Sequence, residues 1–573
     1  MAQKRRVGAA SGQVPALAFQ SSEGVRQGDP LAPILFSLGM RGFLEALQDR
    51  LGSEHLVMAY LDDVVILSKM GRDIDTIGAA AEVARHAAPG LHLNVNKSSC
   101  APLTDIRESG TELLGTALGS AAFRWEFGMA KVERIERVLP ALCELPKHLA
   151  WLILSRCLAG RNAHLLRQLE TADLVTYGIN PIWERQDRGL AWVVRHLRGS
   201  SISLITDPIL FALPLRLGGL GLRGYSYVAP LARQAMGTMT DHELVRRGLV
   251  DGELLGLGDF GTQSDEEQRD AMGRLPKQGM LVNDMYKRMA DHLVLHAPDG
   301  VGRVLLEQSV PLGRRWLQVL PYFGRLSLQD YDVSVGLQLR TMCPPHAAGC
   351  RACAVIGARL SHGEHCEDRG YRGETLRHDG IRDVLYEHVR RNAHVEVERE
   401  ARIVADRQER SDLLVRGLHA GPGPAMHYDL FIREVTGSKE ERNGRQEVTL
   451  VPTGRPHEYA WEWQASEKRA QQNQQVAAMI QSTGMAGAVD ARRAMLWRQM
   501  SQTLGERRRE KERKYQFCMN MRAIGLSASG VQTKGFRDAL HAFGRSLTEL
   551  DRMRVREQLS VELLRWRARL YGH

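Results

Sequence analysis

The chain has 573 residues, which is too many for one hydrophobic core, so its length predicts several domains. Hydrophobic residues make up 43% and charged residues 25%, a composition that excludes a disordered chain. The formal net charge of +10 at pH 7 favours a polyanionic partner, because Lys and Arg that neutralise phosphates give affinity independent of sequence.

No apolar run approaches the roughly 20 residues of a membrane-spanning helix, and no sustained apolar segment follows the basic residues at the N-terminus. Neither a membrane partner nor a secretory signal is therefore predicted. We expect an intracellular, nuclear location. In a reducing compartment the eight cysteines are not expected to form a disulfide framework. These patterns do not predict an oligomeric state.

The first predicted element is a turn that opens a helix, in EGVRQGDPLAPILFSLGM from Glu23 to Met40. Gly28, Asp29 and Pro30 form the turn, and the apolar run after them fits a buried helix. A glycine-containing turn before a helix lets the backbone approach a sugar or a phosphate.

The second is a β-hairpin in MAYLDDVVIL, with Asp62 and Asp63 between two strands rich in β-branched residues. Adjacent carboxylates repel each other, so a divalent cation between them would explain the pair. An ordinary Asp-rich surface turn would give the same pattern.

Helical spacing dominates from about residue 129 to 340. Apolar residues recur every three to four positions and predict one buried stripe, formed by Val132, Ile135, Val138, Leu139 and Leu142. The glycines of LPLRLGGLGLRGY, from Leu213 to Tyr225, predict a turn or a close approach of two backbones.

A cluster of cysteine and histidine follows, with the spacing of a small zinc site: Cys350, Cys353, His362 and Cys366. His365 could replace His362, and Cys343 could replace one of the cysteines. The alternative is a loop with reduced, unligated thiols. A structural Zn²⁺ would stabilise a segment that is too small for a core of its own.

Strand-like runs, SDLLV and HYDLFI, mark a mixed region after the cluster, and the rest of the chain is polar with helical spacing. The run ERRREKERK, from Glu506 to Lys514, predicts a solvated helix face, with a nucleic-acid contact as the alternative.

Two motifs carry a resemblance to a known family. RQGDPLAPILF followed by AYLDD resembles two consecutive motifs of the reverse transcriptases of retrotransposons that lack long terminal repeats. GLHLNVNKS (Gly90 to Ser98) and ELLGTALG (Glu112 to Gly119) are similar to the next two motifs in the same order. The order of the parts also resembles the site-specific elements inserted in trypanosomatid spliced-leader genes.

The resemblance implies roles for particular residues. Asp62 would bind Mg²⁺ (or Mn²⁺) directly, with Asp63 as a weaker companion. Lys97 would lie near the triphosphate and donate a proton to the leaving pyrophosphate, although an exposed turn lysine fits equally well. Leu114 and Gly115 would grip the primer end. The nucleotide and template pocket would be lined by Arg26, Gln27, Gly28, Asp29 and Pro30.

The family also has an earlier motif that supplies another metal-binding aspartate. Only 27 residues precede Gly28, and none of them is Asp. This departure predicts an N-terminally truncated enzyme that lacks its fingers, either as a 5′-truncated copy of the element or because the gene model begins at an internal methionine. We expect little or no polymerase activity from this chain alone, because a two-metal site without one carboxylate binds metal poorly.

The region after the cysteine cluster resembles a restriction-like endonuclease, over LRHDGIRDVLYEHV (Leu376 to Val389), Glu398 to Val415 and HYDLFIREVT (His427 to Thr436). The resemblance implies that Asp412 and Asp429 share Mg²⁺ beside the scissile phosphate. Phe431 stands where the usual lysine is expected, so Lys468 is predicted to serve instead. Ordinary strand-end acids and a surface lysine are the alternatives.

The sequence thus predicts an α+β multidomain protein. Its parts would be a partial polymerase palm (1–120), a mostly helical thumb and connector (121–340), a zinc knuckle (341–372), an endonuclease-like α/β domain (373–500) and a basic helical C-terminal tail (501–573).

The predicted function is RNA-directed DNA polymerase of a retrotransposon, copying element RNA from a nicked DNA target. Its partners would be an RNA template, a DNA target and primer, and deoxynucleoside triphosphates. Two alternatives stay open: a non-catalytic nucleic-acid-binding remnant, and a scaffold with no nucleic-acid role.

Overall fold

The computed structural model describes residues 29–68, 75–87, 90–176, 178–200, 202–322, 324–345, 372–392, 394–405, 407–418, 424–435 and 448–572. The helical content is 61%, and short β-sheets accompany the helices, so the predicted mixed α+β class is confirmed. Within the described ranges no helix is both long and apolar enough to cross a membrane. The chain divides into two compact units, 1–124 and 125–573.

The described residues of the first unit form two β-hairpins and three α-helices. Its elements are α1 Ala32–Leu51, β1 His55–Tyr60, β2 Asp63–Ser68, α2 Thr76–Ala87, α3 Leu103–Ser109, β3 Thr111–Leu113 and β4 Thr116–Leu118. Phe43 and Leu47 of α1 and Val83 of α2 are buried in one cluster, against which Val57 and Ile66 of the first hairpin pack. Burial of these apolar side chains holds β1 and β2 in place.

The second unit begins with a helical region. Its helices are α4 Ala121–Glu136, α5 Leu139–Cys143, α6 Lys147–Ile153, α7 Pro181–Arg198, α8 Asp207–Ala212, α9 Tyr225–Arg246, α10 Asp265–Arg274, α11 Gln278–His296, α12 Asp299–Ser309, α13 Pro311–Arg315 and α14 Asp330–Arg340.

The predicted apolar stripe in this region is correct except at Val138. Val132, Ile135, Leu139 and Leu142 are buried, whereas Val138 is 42% exposed. The reason is that α4 ends at Glu136, so the helical period does not continue through Val138.

The glycine-rich segment between α8 and α9 is a close backbone approach, as its glycines predict. Leu220 and Leu222 donate backbone hydrogen bonds to the carbonyls of Leu210 and Phe211. A Cβ atom on Gly219 would lie 2.2 Å from the carbonyl oxygen of Leu213, so a larger residue does not fit there.

The remaining elements surround two sheets. They are β5 Ser203–Leu204, α15 Arg372–Arg390, β6 Glu396–Arg399, β7 Leu413–Arg416, β8 Met426–Arg433, β9 Val448–Pro452, β10 Glu458–Trp463, α16 Ser466–Lys514, β11 Met521–Ser527, α17 Lys534–Phe543 and α18 Glu549–Gly572. The larger sheet has the order β11-β8-β7-β6, with β11 parallel to β8 and the other neighbours antiparallel. The smaller sheet has the order β5-β10-β9.

The predicted boundary at 500/501 does not hold, because β11 completes the larger sheet. β11 pairs with β8 along its whole length, and α17 and α18 supply Phe536, Phe543 and Leu559 to the core beneath. Likewise β5, from the predicted connector, pairs with β10. The C-terminal segment is therefore part of the domain rather than a helical tail.

Candidate active sites

The first candidate site is the tip of the β1–β2 hairpin. Tyr60 pairs with Asp63, which leaves Leu61 and Asp62 as the two residues of the turn. Both carboxylates are exposed. Leu61 has φ 55, a left-handed conformation that costs a leucine about 1–3 kcal/mol and that suits a two-residue hairpin turn.

Gln48 of α1 fixes the start of this hairpin. Its side-chain amide donates to the carbonyl of His55 at 2.8 Å and accepts from the amide of Val57 at 3.0 Å. The strand that leads to the acidic tip is thus anchored to α1 by polar contacts as well as by apolar packing.

The structure also places the other residues that were predicted for this site. The Asp29 side chain accepts a hydrogen bond from the Leu31 amide at 2.9 Å, just before α1. Lys97 is exposed at the end of the short 3₁₀ helix Val95–Lys97. Leu114 (φ 50) and Gly115 (φ 73) form the turn between β3 and β4, where two positive φ angles suit a tight hairpin. Arg26, Gln27 and Gly28 lie outside the described residues, and Pro30 is exposed.

The hairpin tip fits a divalent metal in the chemistry of its donors. Two adjacent, exposed carboxylates supply oxygen ligands, which Mg²⁺ prefers, and leave room for substrate phosphates. In the described ranges, no group of three or more His, Cys, Asp or Glu side chains is arranged to hold a metal ion. The donor set at the tip is therefore Asp62 and Asp63.

The second candidate site lies on the larger sheet, where Asp412 precedes β7 and Asp429 lies within β8. Leu413 pairs with Tyr428, so the two acids are at the same level of the sheet. Asp429 is only 4% exposed, and the Nζ atom of Lys511 lies 2.8 Å from its Oδ2 atom. A buried carboxylate beside a second carboxylate is a pair of oxygen donors that fits a divalent cation.

His378 of α15 orients Asp412. Its Nε2 atom lies 3.2 Å from Oδ2 of Asp412 and 3.1 Å from the carbonyl oxygen of Leu430. Because both partners are acceptors, Nε2 carries a proton and donates. Oδ2 of Asp412 also accepts from the Leu430 amide.

The two acids have opposite pKa shifts. Burial raises the pKa of Asp429 to about 6. The Lys511 ammonium acts to lower this pKa, and the neighbouring Asp412 carboxylate acts to raise it. Burial also acts to raise the pKa of Asp412, but the hydrogen bond and charge of His378 outweigh it and lower that pKa. Burial acts to lower the pKa of His378. The hydrogen bond and the charge of Asp412 have a larger effect in the opposite direction, so the pKa of His378 is raised. Asp412 is therefore ionised at neutral pH, and Asp429 is the group that titrates.

Lys511 is the lysine that the structure brings to these acids. Its Nζ atom lies 2.8 Å from Oδ2 of Asp429, and its side chain is 18% exposed. Lys468 is in the first part of α16, before the break at Gly484 (φ 69), whereas Lys511 is near the end of that helix, which packs on β8 and β11. The run from Glu506 to Lys514 is thus not wholly a solvated face.

Sequence reasoning missed Lys511 and His378, although both lie in stretches that it singled out. Phe431 stands at the position of the usual lysine and is buried. Its ring packs against Gly525, where an added Cβ atom would lie 2.1 Å from the ring. A signal was present: with Phe431 apolar, a lysine had to come from another element, and the basic run holds several candidates.

The predicted zinc ligands Cys350, Cys353, His362 and Cys366 lie outside the described residues. The zinc site therefore stays a prediction. Cys343, the alternative ligand, is fully buried, and its thiol lies 3.3 Å from the Ser200 hydroxyl. Burial raises the pKa of this thiol, which favours its protonated form.

Comparison with known proteins agrees with the first site. Residues 11–118 match the family model described as reverse transcriptase (RNA-dependent DNA polymerase). The chain is also 29% identical over 238 residues to the retrotransposable element SLACS 132 kDa protein of Trypanosoma brucei gambiense. That alignment covers 38% of this chain and 19% of the relative, so the chain spans about a fifth of the relative's length. The protein carries a reverse transcriptase domain and is similar to a retrotransposon protein, which confirms the predicted resemblance at that level.

Proposed function

We propose that this protein is the RNA-directed DNA polymerase of a retrotransposon that lacks long terminal repeats. The observation that carries the proposal is the acidic hairpin tip inside the stretch that matches reverse transcriptases. Asp62 and Asp63 would hold Mg²⁺, which activates the primer 3′ hydroxyl and stabilises charge on the leaving pyrophosphate. Asp29 and Pro30 would line the nucleotide pocket, Lys97 would face the triphosphate, and the turn at Leu114 and Gly115 would support the primer end.

We expect residues 1–573 to extend a DNA primer on an RNA template only slightly above background. The reason is that residues 1–27 hold no Asp, so these residues offer two carboxylates where a two-metal site uses more. Asp62→Asn should remove the remaining synthesis, because it removes a proposed metal ligand. Incorporation of labelled nucleotide in the presence of Mg²⁺ measures both.

Asp49→Asn, on the exposed side of α1, is the matched control and should leave synthesis unchanged. Robust synthesis that survives Asp62→Asn would contradict the proposed role of the hairpin tip.

A second candidate function is a metal-dependent endonuclease, and the cluster of Asp412, Asp429 and Lys511 favours it. The two acids would bind a divalent cation, which polarises the scissile phosphate. Lys511 would orient the attacking water or neutralise charge on the phosphate, and His378 would hold Asp412 in position. A nick made here would supply the 3′ hydroxyl that primes DNA synthesis.

We expect Mg²⁺-dependent nicking to slow about tenfold per pH unit as the pH falls below about 6, because protonated Asp429 is a poor metal ligand. Above that pH this dependence should level off. Nicking rates of a supercoiled plasmid at fixed Mg²⁺ between pH 5 and 8 measure it. A rate that does not change between pH 5 and 7 would show that Asp429 is not the titrating group.

The competing proposal is a nucleic-acid-binding remnant in which neither site is active. It predicts binding without nicking and without synthesis. We further propose that Cys350, Cys353, His362 and Cys366 hold Zn²⁺, which the zinc content of the purified protein tests, with Cys350→Ser as the variant that should lower it.

A further inference from the structure

The helical region of the second unit contains a basic cleft with a volume of about 830 Å³. It is bordered by the glycine-rich segment after α8, the start of α11, and α13. Six of its 17 described lining residues are Lys or Arg, compared with 77 of the 573 residues in the whole chain, and none of the 17 is Asp or Glu. The six are Arg167, Arg216, Arg223, Lys277, Arg314 and Arg315.

Most of these cations have no acidic partner among the described residues. Arg216 donates to the side-chain oxygen of Asn283 at 2.8 Å, and Arg167 donates to that of Gln278 at 3.0 Å, so both partners are neutral. Arg315 does have a carboxylate, that of Glu557, at 3.4 Å. Like charges held together without counter-ions oppose folding and make the cleft a site of positive potential.

Arg314 shows this repulsion most clearly. It is half-buried, and burial together with the charges of Arg216 and Arg315 lowers the pKa of its guanidinium. Asp187, whose charge acts on nearby Tyr286, does not line the cleft; it accepts hydrogen bonds from Tyr225 and Ser226 at the start of α9. The cleft therefore retains its positive charge.

A buried arginine, Arg340 of α14, holds the cleft in shape. Its guanidinium donates at 2.8 Å to the carbonyls of Leu215, Gly219 and Gln308, and it has no carboxylate partner among the described residues. These carbonyls belong to the segments that carry Arg216 and precede Arg314. One fully buried cation thus fixes the two walls from which the cleft's charges project, so the site is preorganised.

The lining favours contact with phosphates over contact with bases. Among the described residues that line the cleft, Tyr286 is the only aromatic one; it is buried, and its hydroxyl accepts from the Gly224 amide at 3.4 Å. The described lining therefore offers no aromatic face for stacking, which usually accompanies base contacts in single-strand binding. A groove of this size lined by flexible cations suits a chain of phosphates.

We propose that this cleft, whose described lining includes no residue of either candidate active site, binds the sugar-phosphate backbone of a single-stranded nucleic acid. This proposal rests on the proposed function in one respect: the function identifies nucleic acid as the polyanion that binds to the cleft. It needs neither polymerisation nor cleavage, so binding should persist in Asp62→Asn and Asp412→Asn variants.

The test is the binding of a fluorescein-labelled oligothymidylate to the full chain, by fluorescence anisotropy in EDTA across a series of KCl concentrations. We expect Arg216→Gln with Arg314→Gln to weaken binding at least about tenfold and to reduce the slope of log K against log [KCl] by about 1.4, since each lost phosphate contact on a single strand removes about 0.7. The unfolding midpoint of this double variant should equal or exceed that of the parent, because the substitutions relieve repulsion.

The matched control is Arg269→Gln with Arg274→Gln, which removes the same charge from exposed positions of α10. It should leave affinity within about twofold. Equal weakening by both double variants, or unchanged binding by the cleft variant, would overturn the proposal.

Lys277 gives a second measurement at the cleft itself. Its amine is exposed, and we expect oligothymidylate to protect it from acylation, as measured by mass spectrometry. If the double variant folds poorly, Lys277→Gln alone should still lower the slope by about 0.7. Equal acylation with and without oligothymidylate, or equal protection by a duplex of the same length, would contradict a single-strand site.

Discussion

Replacement of Lys511 by Met is expected to slow Mg²⁺-dependent nicking of a supercoiled plasmid by about 100- to 1,000-fold, the usual cost of removing one group that stabilises transition-state charge. Asp412→Asn and Asp429→Asn should each slow it at least as much, because each removes a proposed metal ligand. The Nζ atom of Lys511 lies 2.8 Å from Oδ2 of Asp429. From there its positive charge can stabilise both the Asp429 carboxylate and a phosphate bound beside it.

Lys468→Met is the matched control, since it removes the same charge from the same helix. We expect its nicking rate to stay within about twofold of the parent. Loss of nicking in Lys468→Met with retention in Lys511→Met would restore the lysine that the sequence predicted.

A structural role for Lys511 can be separated from a chemical one. Lys511→Arg keeps the charge beside Asp429 but places it in a wider, planar group, so it should preserve the unfolding midpoint while nicking stays slow. If nicking returns fully in Lys511→Arg, Lys511 acts through charge alone. If the parent binds DNA and does not nick it under any of these conditions, the competing proposal of a non-catalytic remnant is supported.

Replacement of Arg340 by Lys is expected to lower the free energy of unfolding by about 3 kcal/mol or more. Three carbonyls accept short hydrogen bonds from its guanidinium, and a buried carbonyl left without a donor costs about 1–3 kcal/mol. The lysine ammonium is a compact group that cannot span all three positions. The burial that lowers the pKa of Arg340 to about 9 would act on a lysine ammonium as well, so the substitution does not relieve that cost. Urea denaturation followed by circular dichroism measures the change.

Arg288→Lys, on the exposed face of α11, is the control and should change stability little, because its partner Asp284 is also exposed. The Arg340→Lys variant should also bind oligothymidylate more weakly, since the segment that carries Arg216 loses its anchor. Unchanged stability in Arg340→Lys would mean that water or other donors satisfy the three carbonyls.

The acidic hairpin could be predicted from sequence because it is local. The alternation of apolar residues and the length of the turn determine which residues pair, and neither depends on distant segments. The two acids of the second site were predictable for a related reason: each lies beside a short β-branched or apolar run that reads as a strand.

The partners of those acids were not predictable, because they come from helices far away along the chain. His378 reaches Asp412 from α15, and Lys511 reaches Asp429 from the far end of a helix that breaks at Gly484. Nothing local to β8 indicates which lysine will lie against it. The pairing of β8 with β11 is a parallel contact between distant strands, and it moved the domain boundary that composition had suggested.

The sequence by itself determined that this chain carries a reverse transcriptase domain, a net positive charge and two pairs of acids, since motif order, composition and short-range periodicity are properties of neighbouring residues. Only the tertiary structure decided which lysine accompanies Asp429, which arginines share a cleft, and that Arg340 anchors that cleft. Those contacts depend on how buried surfaces of distant helices and strands pack, and packing selects among many basic residues that look alike in sequence.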